Sequence, residues 1–114
     1  MTENHKSLSF GRYLRAVRRE KGLDLETISQ ETRIGIDTLN MIEQEDLSGL
    51  PSEVFVKGFL RAYAKAVGAD GDRAIDRYME SLSRLKKTEQ SEADLNHLSN
   101  RFWTRLLAAA GLLA

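Results

Sequence analysis

The sequence predicts an all-α domain, a compact bundle of five helices. Three observations lead there. Apolar residues recur at i, i+3 or i+4, and i+7 in successive segments between Phe10 and Leu85. Helix start and stop residues, such as Asp24, Ser52, Gly22 and Gly68, stand at the ends of those segments. The only proline, Pro51, lies just before the longest segment and not inside one. At 114 residues, 41% hydrophobic and 30% charged, the chain has the size and composition of one small globular domain with attached segments.

Residues 1–8 are polar and are expected to be a disordered N-terminus. The first helix is expected from Phe10 to Lys21, ending at Gly22, with Phe10, Leu14 and Val17 inward. Arg12, Arg15, Arg18 and Arg19 take its other sides, as a solvated face or as a contact for phosphate or an acidic partner. Asp24 caps a second helix; Thr27 follows three residues on, so the capping box is incomplete. Leu25, Ile28 and Thr32 point to the core. Arg33 to Ile36 break the period, and a third helix follows from Asp37 to Gln44 with Leu39 and Ile42 inward. Two short helices joined by a turn of about four residues outline a helix-turn-helix.

Asp46 to Pro51 form a loop rich in helix breakers. The fourth helix runs from Ser52 as N-cap to Gly68 as stop and carries two apolar stripes. Val56, Leu60, Tyr63 and Val67 form one; Phe55, Phe59, Ala62 and Ala66 form the other; Lys57, Arg61 and Lys65 make a basic face. Both stripes are core if this helix is central to the bundle; otherwise Phe55 and Phe59 stand partly exposed and hold a protein partner. Gly58 costs about 0.8–1 kcal/mol against alanine inside a helix. Close backbone approach explains it, either to the Ser48–Gly49 loop or to a partner.

A fifth helix is expected from near Asp72 to Lys86–Lys87, with Ile75, Tyr78, Met79, Leu82 and Leu85 at helical spacing. The folded domain thus spans 9–87. Residues 88–101 read as a polar linker of mixed charge, and 102–114 as an apolar tail. Arg101 and Arg105 bracket Trp103 before a charge-free run, as at the cytoplasmic start of a transmembrane helix. Nine apolar residues from Leu106 are too few to span a bilayer, which needs about twenty.

Net charge is zero but uneven. Residues 1–24 hold six basic and three acidic side chains, and residues 25–50 one basic and six acidic. With no cysteine there is no disulfide or thiolate metal site. His5 and His97 lie far apart in polar segments and are expected in solvent, so no metal is expected. The N-terminal residues lack the apolar core of a secretory signal, which points to the cytoplasm. No nucleophile triad, carboxylate pair or phosphate loop stands out. An enzyme, a cofactor and a small-molecule substrate are therefore not expected.

The stretches Phe10-Gly11-x-Tyr13-Leu14-Arg15, Thr32-Arg33-Ile34, Leu39-x-x-Ile42-Glu43 and above all Phe55-x-Lys57-Gly58-Phe59-x-Arg61-x-Tyr63 resemble the N-terminal domain of the RodZ family. The resemblance covers about residues 8–87. It implies a Cro/repressor-like helix-turn-helix with two further helices behind it, and an adaptor linking the actin-like filament protein MreB to the inner membrane in cell-shape maintenance. It also implies that the filament contact falls on Phe55 and Phe59, which places that stripe outside the core. Lys57 and Arg61 would then meet acidic groups on the filament. The linker is less basic than the family's, and the chain resembles only the cytoplasmic part, up to the first residues of the membrane helix.

The alternative is a DNA-binding regulator of the Xre/Cro type. Thr38, Asn40 and Gln44 on the third helix would then read bases, with Arg33 on phosphate. Against it, no lysine or arginine stands between Arg33 and Lys57, while Asp37, Glu43, Glu45 and Asp46 surround the reading helix. Arg33 also stands where repressors commonly have glycine.

Overall fold

A computed structural model of the chain describes residues 5 and 7–88. The tail and all of the expected linker beyond Thr88 lie outside the described residues. The helices are α1 (Phe10–Glu20), α2 (Leu25–Thr32), α3 (Ile36–Gln44), α4 (Glu53–Val67) and α5 (71–88). Among the described residues there is no strand, so the all-α class holds. Met1–Leu82 form one compact unit and Ser83–Ala114 a second, of which only the last turns of α5 are described.

Local chemistry sets each boundary. Ser9, at the N-cap of α1, makes no side-chain cap. The free Gly11 N–H donates instead to Glu45 Oε2 at 3.0 Å, a carboxylate brought from beyond α3 to the positive helix end. Gly11 is required there. A Cβ would stand 2.2 Å from the Ile42 carbonyl oxygen and 2.7 Å from Glu45 Cγ, so only glycine lets α1 rest on the last turn of α3. Asp24 caps α2 as expected, accepting from Thr27 N–H at 2.8 Å and Thr27 Oγ1 at 2.7 Å. Those bonds hold its carboxyl below the usual range.

Arg33 ends α2 in the left-handed region at φ 61°, the conformation for which repressors use glycine. That turn drops Ile34 into the core, where Ser29 Oγ donates to its carbonyl at 2.6 Å. The third helix begins at Ile36, one residue earlier than expected, with Gly35 at the cap. Gly68 ends α4 in the left-handed region.

The core is a single cluster. α1 and α2 each pack against both α3 and α4. The first stripe of α4, Val56, Leu60, Tyr63 and Val67, is sealed inside with Phe10, Leu14, Ile28, Leu39 and Ile42. α5 closes the bundle through Ala74 and Tyr78, with Ile75, Met79 and Leu82 partly buried beside them. Tyr78 meets Phe10 edge-on at 5.3 Å. The connector is held by Asp70 N–H donating to Tyr13 Oη at 2.9 Å, and Arg73 lies over the Tyr13 ring.

One expectation fails in the N-terminal arm. His5, expected in solvent, is buried; its Nε2 lies 2.9 Å from Glu20 Oε1 and its ring meets Tyr13 at 5.7 Å. The polarity of its neighbours in sequence carries no information about its reach back across α1. Leu8 also packs against the core.

Candidate functional site

The fourth helix presents its second stripe unevenly. Phe55 is 61% exposed, whereas Phe59, Ala62 and Ala66 are half-buried against the core. The two rings therefore do not stand equally in water, as the resemblance implied. Phe59 sits one turn further along and leans on the bundle. Ala62 and Ala66, at the far end of the stripe, line an open groove between α2 and α4 with Glu31, Thr32 and Lys65.

Val54 is 79% exposed and was missed by the stripe pattern. It belongs to the basic face, sharing that side with Lys57, Gly58 and Arg61 at i+3, i+4 and i+7. A lone apolar residue on a cationic face was the available signal. Gly58 lies between the directions of Val54 and Phe55 on the helix. It is exposed, and a Cβ built there would meet nothing within 4 Å. The Ser48–Gly49 loop is thus not what demands a glycine. Val54, Phe55 and Gly58 together form an exposed apolar patch with a bare backbone notch on a well-packed helix.

The flanking cations already have acidic neighbours. Lys57 Nζ lies 3.2 Å from Glu53 Oε1, one turn back, and Arg61 Nη2 lies 3.8 Å from Asp72 Oδ1. The Arg61 pair is solvent-exposed and the Lys57 pair partly so, and such pairs are worth little, so they can yield to a partner's carboxylates.

α2, the Arg33 turn and α3 form the two-helix motif. Asn40 and Gln44 are exposed and Thr38 is half-buried; Gln44 Nε2 donates to Asn40 Oδ1 at 3.3 Å. The profile of the helix-turn-helix domain family matches residues 13–74, a span that takes in α2, α3 and α4 whole.

The chain belongs to the helix-turn-helix domain family.

The chain is 34% identical over 101 residues to the cytoskeleton protein RodZ of Streptococcus pneumoniae (strain ATCC BAA-255 / R6), a match covering 89% of this chain and 36% of that protein. The chain thus matches about a third of the length of that relative. Its fold is similar to that of YmfM from Staphylococcus aureus, a proposed DNA-binding membrane protein. The TM-score is 0.59 at 27% identity, over 64% of this chain and 89% of that one.

This helix-turn-helix domain also treats its acidic groups differently from the sequence expectation. Glu43 does not face the solvent around α3. It is buried, and Arg18 grips it with Nε to Oε2 at 2.7 Å and Nη2 to Oε1 at 2.9 Å. Tyr63 Oη donates to the same carboxylate, and Arg18 Nη1 donates to the Leu23 carbonyl at 2.8 Å. The bond to Glu43 holds the Arg18 guanidinium more firmly protonated. Burial, with the bond to Glu43, pushes the Tyr63 hydroxyl far above its ordinary range. Glu45 caps α1, and Asp46 accepts from Ser48 Oγ and Gly49 N–H in the following turn. Of the four carboxylates counted against DNA, Glu43 is therefore neutralised in the core and Glu45 turned onto the α1 N-terminus, while Asp37 and Asp46 stay exposed. The missing cations between Arg33 and Lys57 remain.

Among the described residues no group of His, Asp and Glu is arranged to hold a metal ion, and no helix is long and apolar enough to cross a membrane.

Proposed function

We propose that this domain is a non-catalytic adaptor in cell-shape maintenance, docking an MreB-like filament on the exposed first turns of α4. In this reading the tail at 102–114 directs the chain to the inner face of the bacterial membrane. The observation that carries the docking reading is the patch of Val54, Phe55 and bare Gly58. A large exposed aromatic on a rigid helix is the usual anchor of a protein interface. Phe59 supports it from below, while Lys57 and Arg61 steer the approach. The similarity to a cytoskeleton protein supports the same assignment.

Filament co-sedimentation of two variants tests it. Phe55→Ala is expected to weaken binding by about 2 kcal/mol or more, with an unchanged melting curve because the ring is exposed. Gly58→Ala is expected to move the two readouts apart. It stabilises the fold by up to about 1 kcal/mol, the usual gain for alanine inside a helix, yet weakens docking by filling the notch. Undiminished sedimentation of both variants would refute the assignment.

Binding of a DNA duplex through Arg33, Thr38, Asn40 and Gln44 is the second reading. It is favoured by the burial of Glu43 against Arg18 and the turning of Glu45 onto the α1 N-terminus, which lessens the repulsion while Asp37 and Asp46 stay exposed. A mobility shift that falls steeply with salt and is lost in Asn40→Ala is its expected signature; no shift at low salt rejects it.

A further inference from the structure

The α1 surface is used by neither the filament reading nor the core. Arg12, Arg15 and Arg19 stand exposed on one side of the helix, opposite Phe10, Leu14 and Val17. With Leu8 and Ala16 they line a shallow groove of about 320 Å³. Arg12 and Arg19 have no acidic partner among the described residues. Arg15 Nε lies 3.9 Å from Glu43, but Arg18 already holds that carboxylate at 2.7 Å and 2.9 Å. The groove is therefore a set of surplus guanidinium groups around an apolar floor.

We infer that this face of α1 seats the anionic headgroups of a lipid bilayer, an inference that rests on the membrane-directed reading of the chain. The composition of the groove selects that partner. Guanidinium groups meet lipid phosphates at headgroup level, while Leu8, Ala16 and the arginine stems meet the carbon beneath. A duplex backbone offers phosphates but no continuous hydrocarbon layer beneath them for the apolar floor. A duplex read by α3 would also need cations along that helix, and after Arg33 at its approach no lysine or arginine follows before Lys57. Each arginine near an anionic leaflet is worth only about a fivefold gain in partitioning. Three of them orient a tethered domain without anchoring it alone, which suits an adaptor whose α4 must stay free for a filament.

Flotation of the full chain with phosphatidylcholine vesicles, with and without phosphatidylglycerol, tests this. Partitioning is expected to rise with the anionic lipid, and the excess to vanish at high salt. Arg12→Gln and Arg19→Gln should each reduce the excess about fivefold, and Arg→Lys at the same positions should restore it. Both arginines are exposed, so melting curves should match the parent's. Binding to neutral vesicles reports the tail alone; its absence would sink the membrane-directed reading. An anionic excess that is absent, or that survives loss of both arginines, overturns the present inference. So does arginine-dependent binding to duplex DNA without binding to the vesicles.

Discussion

Glu43→Ala is expected to destabilise the domain by about 3–5 kcal/mol, the range for removing one partner of a buried ion pair. The Glu43 side chain is 5% exposed and that of Arg18 13%. The substitution leaves the guanidinium with only the Leu23 carbonyl and strands the Tyr63 hydroxyl in the core. A small domain is stable by only about 5–15 kcal/mol, so much of that margin disappears. Urea denaturation measures the loss directly. The cost comes from the orphaned partners, not from any large net gain of the pair itself. Replacing all three groups together, Arg18→Met, Glu43→Leu and Tyr63→Phe, should therefore recover most of the stability. A single variant within about 1 kcal/mol of the parent would show that water reaches the site.

Phe10→Ala is expected to cost a similar amount, about 3–5 kcal/mol, as for other fully buried aromatic truncations. Its effect should also be directional. Phe10 is completely buried and its ring meets Tyr78 at 5.3 Å, so it is a principal contact between α1 and α5. Hydrogen exchange should accelerate over residues 71–82 more than over α2. Equal loss of protection in the two helices would mean that α5 is held chiefly by Ala74 and the Tyr13 contacts instead.

Much of the bundle was legible because helix periodicity and end chemistry are local. Phe10, Leu14 and Val17, the Asp24 cap, Leu39 and Ile42, and the Gly68 stop all stand where spacing and residue type put them. The candidate docking face was legible in part. Spacing placed Phe55 and Phe59 on one stripe, but exposure separates them, because each ring's burial depends on what the neighbouring helices cover. Val54 escaped notice because a periodicity argument looks for stripes, and Val54 stands apart from both of them on the cationic face.

The charged core was not legible. Arg18 and Glu43 are 25 positions apart, and each looked like an ordinary member of a solvated helix surface. The same holds for Glu45 at the start of α1, 34 positions from the N–H that it caps.

By itself the sequence determined the number of helices, most of their boundaries and the stripe of α4 that is sealed, because these follow from short-range backbone and solvation preferences. Only the tertiary structure decided which charges are neutralised, why Gly11 bears no side chain, and that nothing in the domain occupies the space beside Gly58. Those outcomes depend on which surfaces meet across the bundle, and residue spacing along the chain does not encode that proximity.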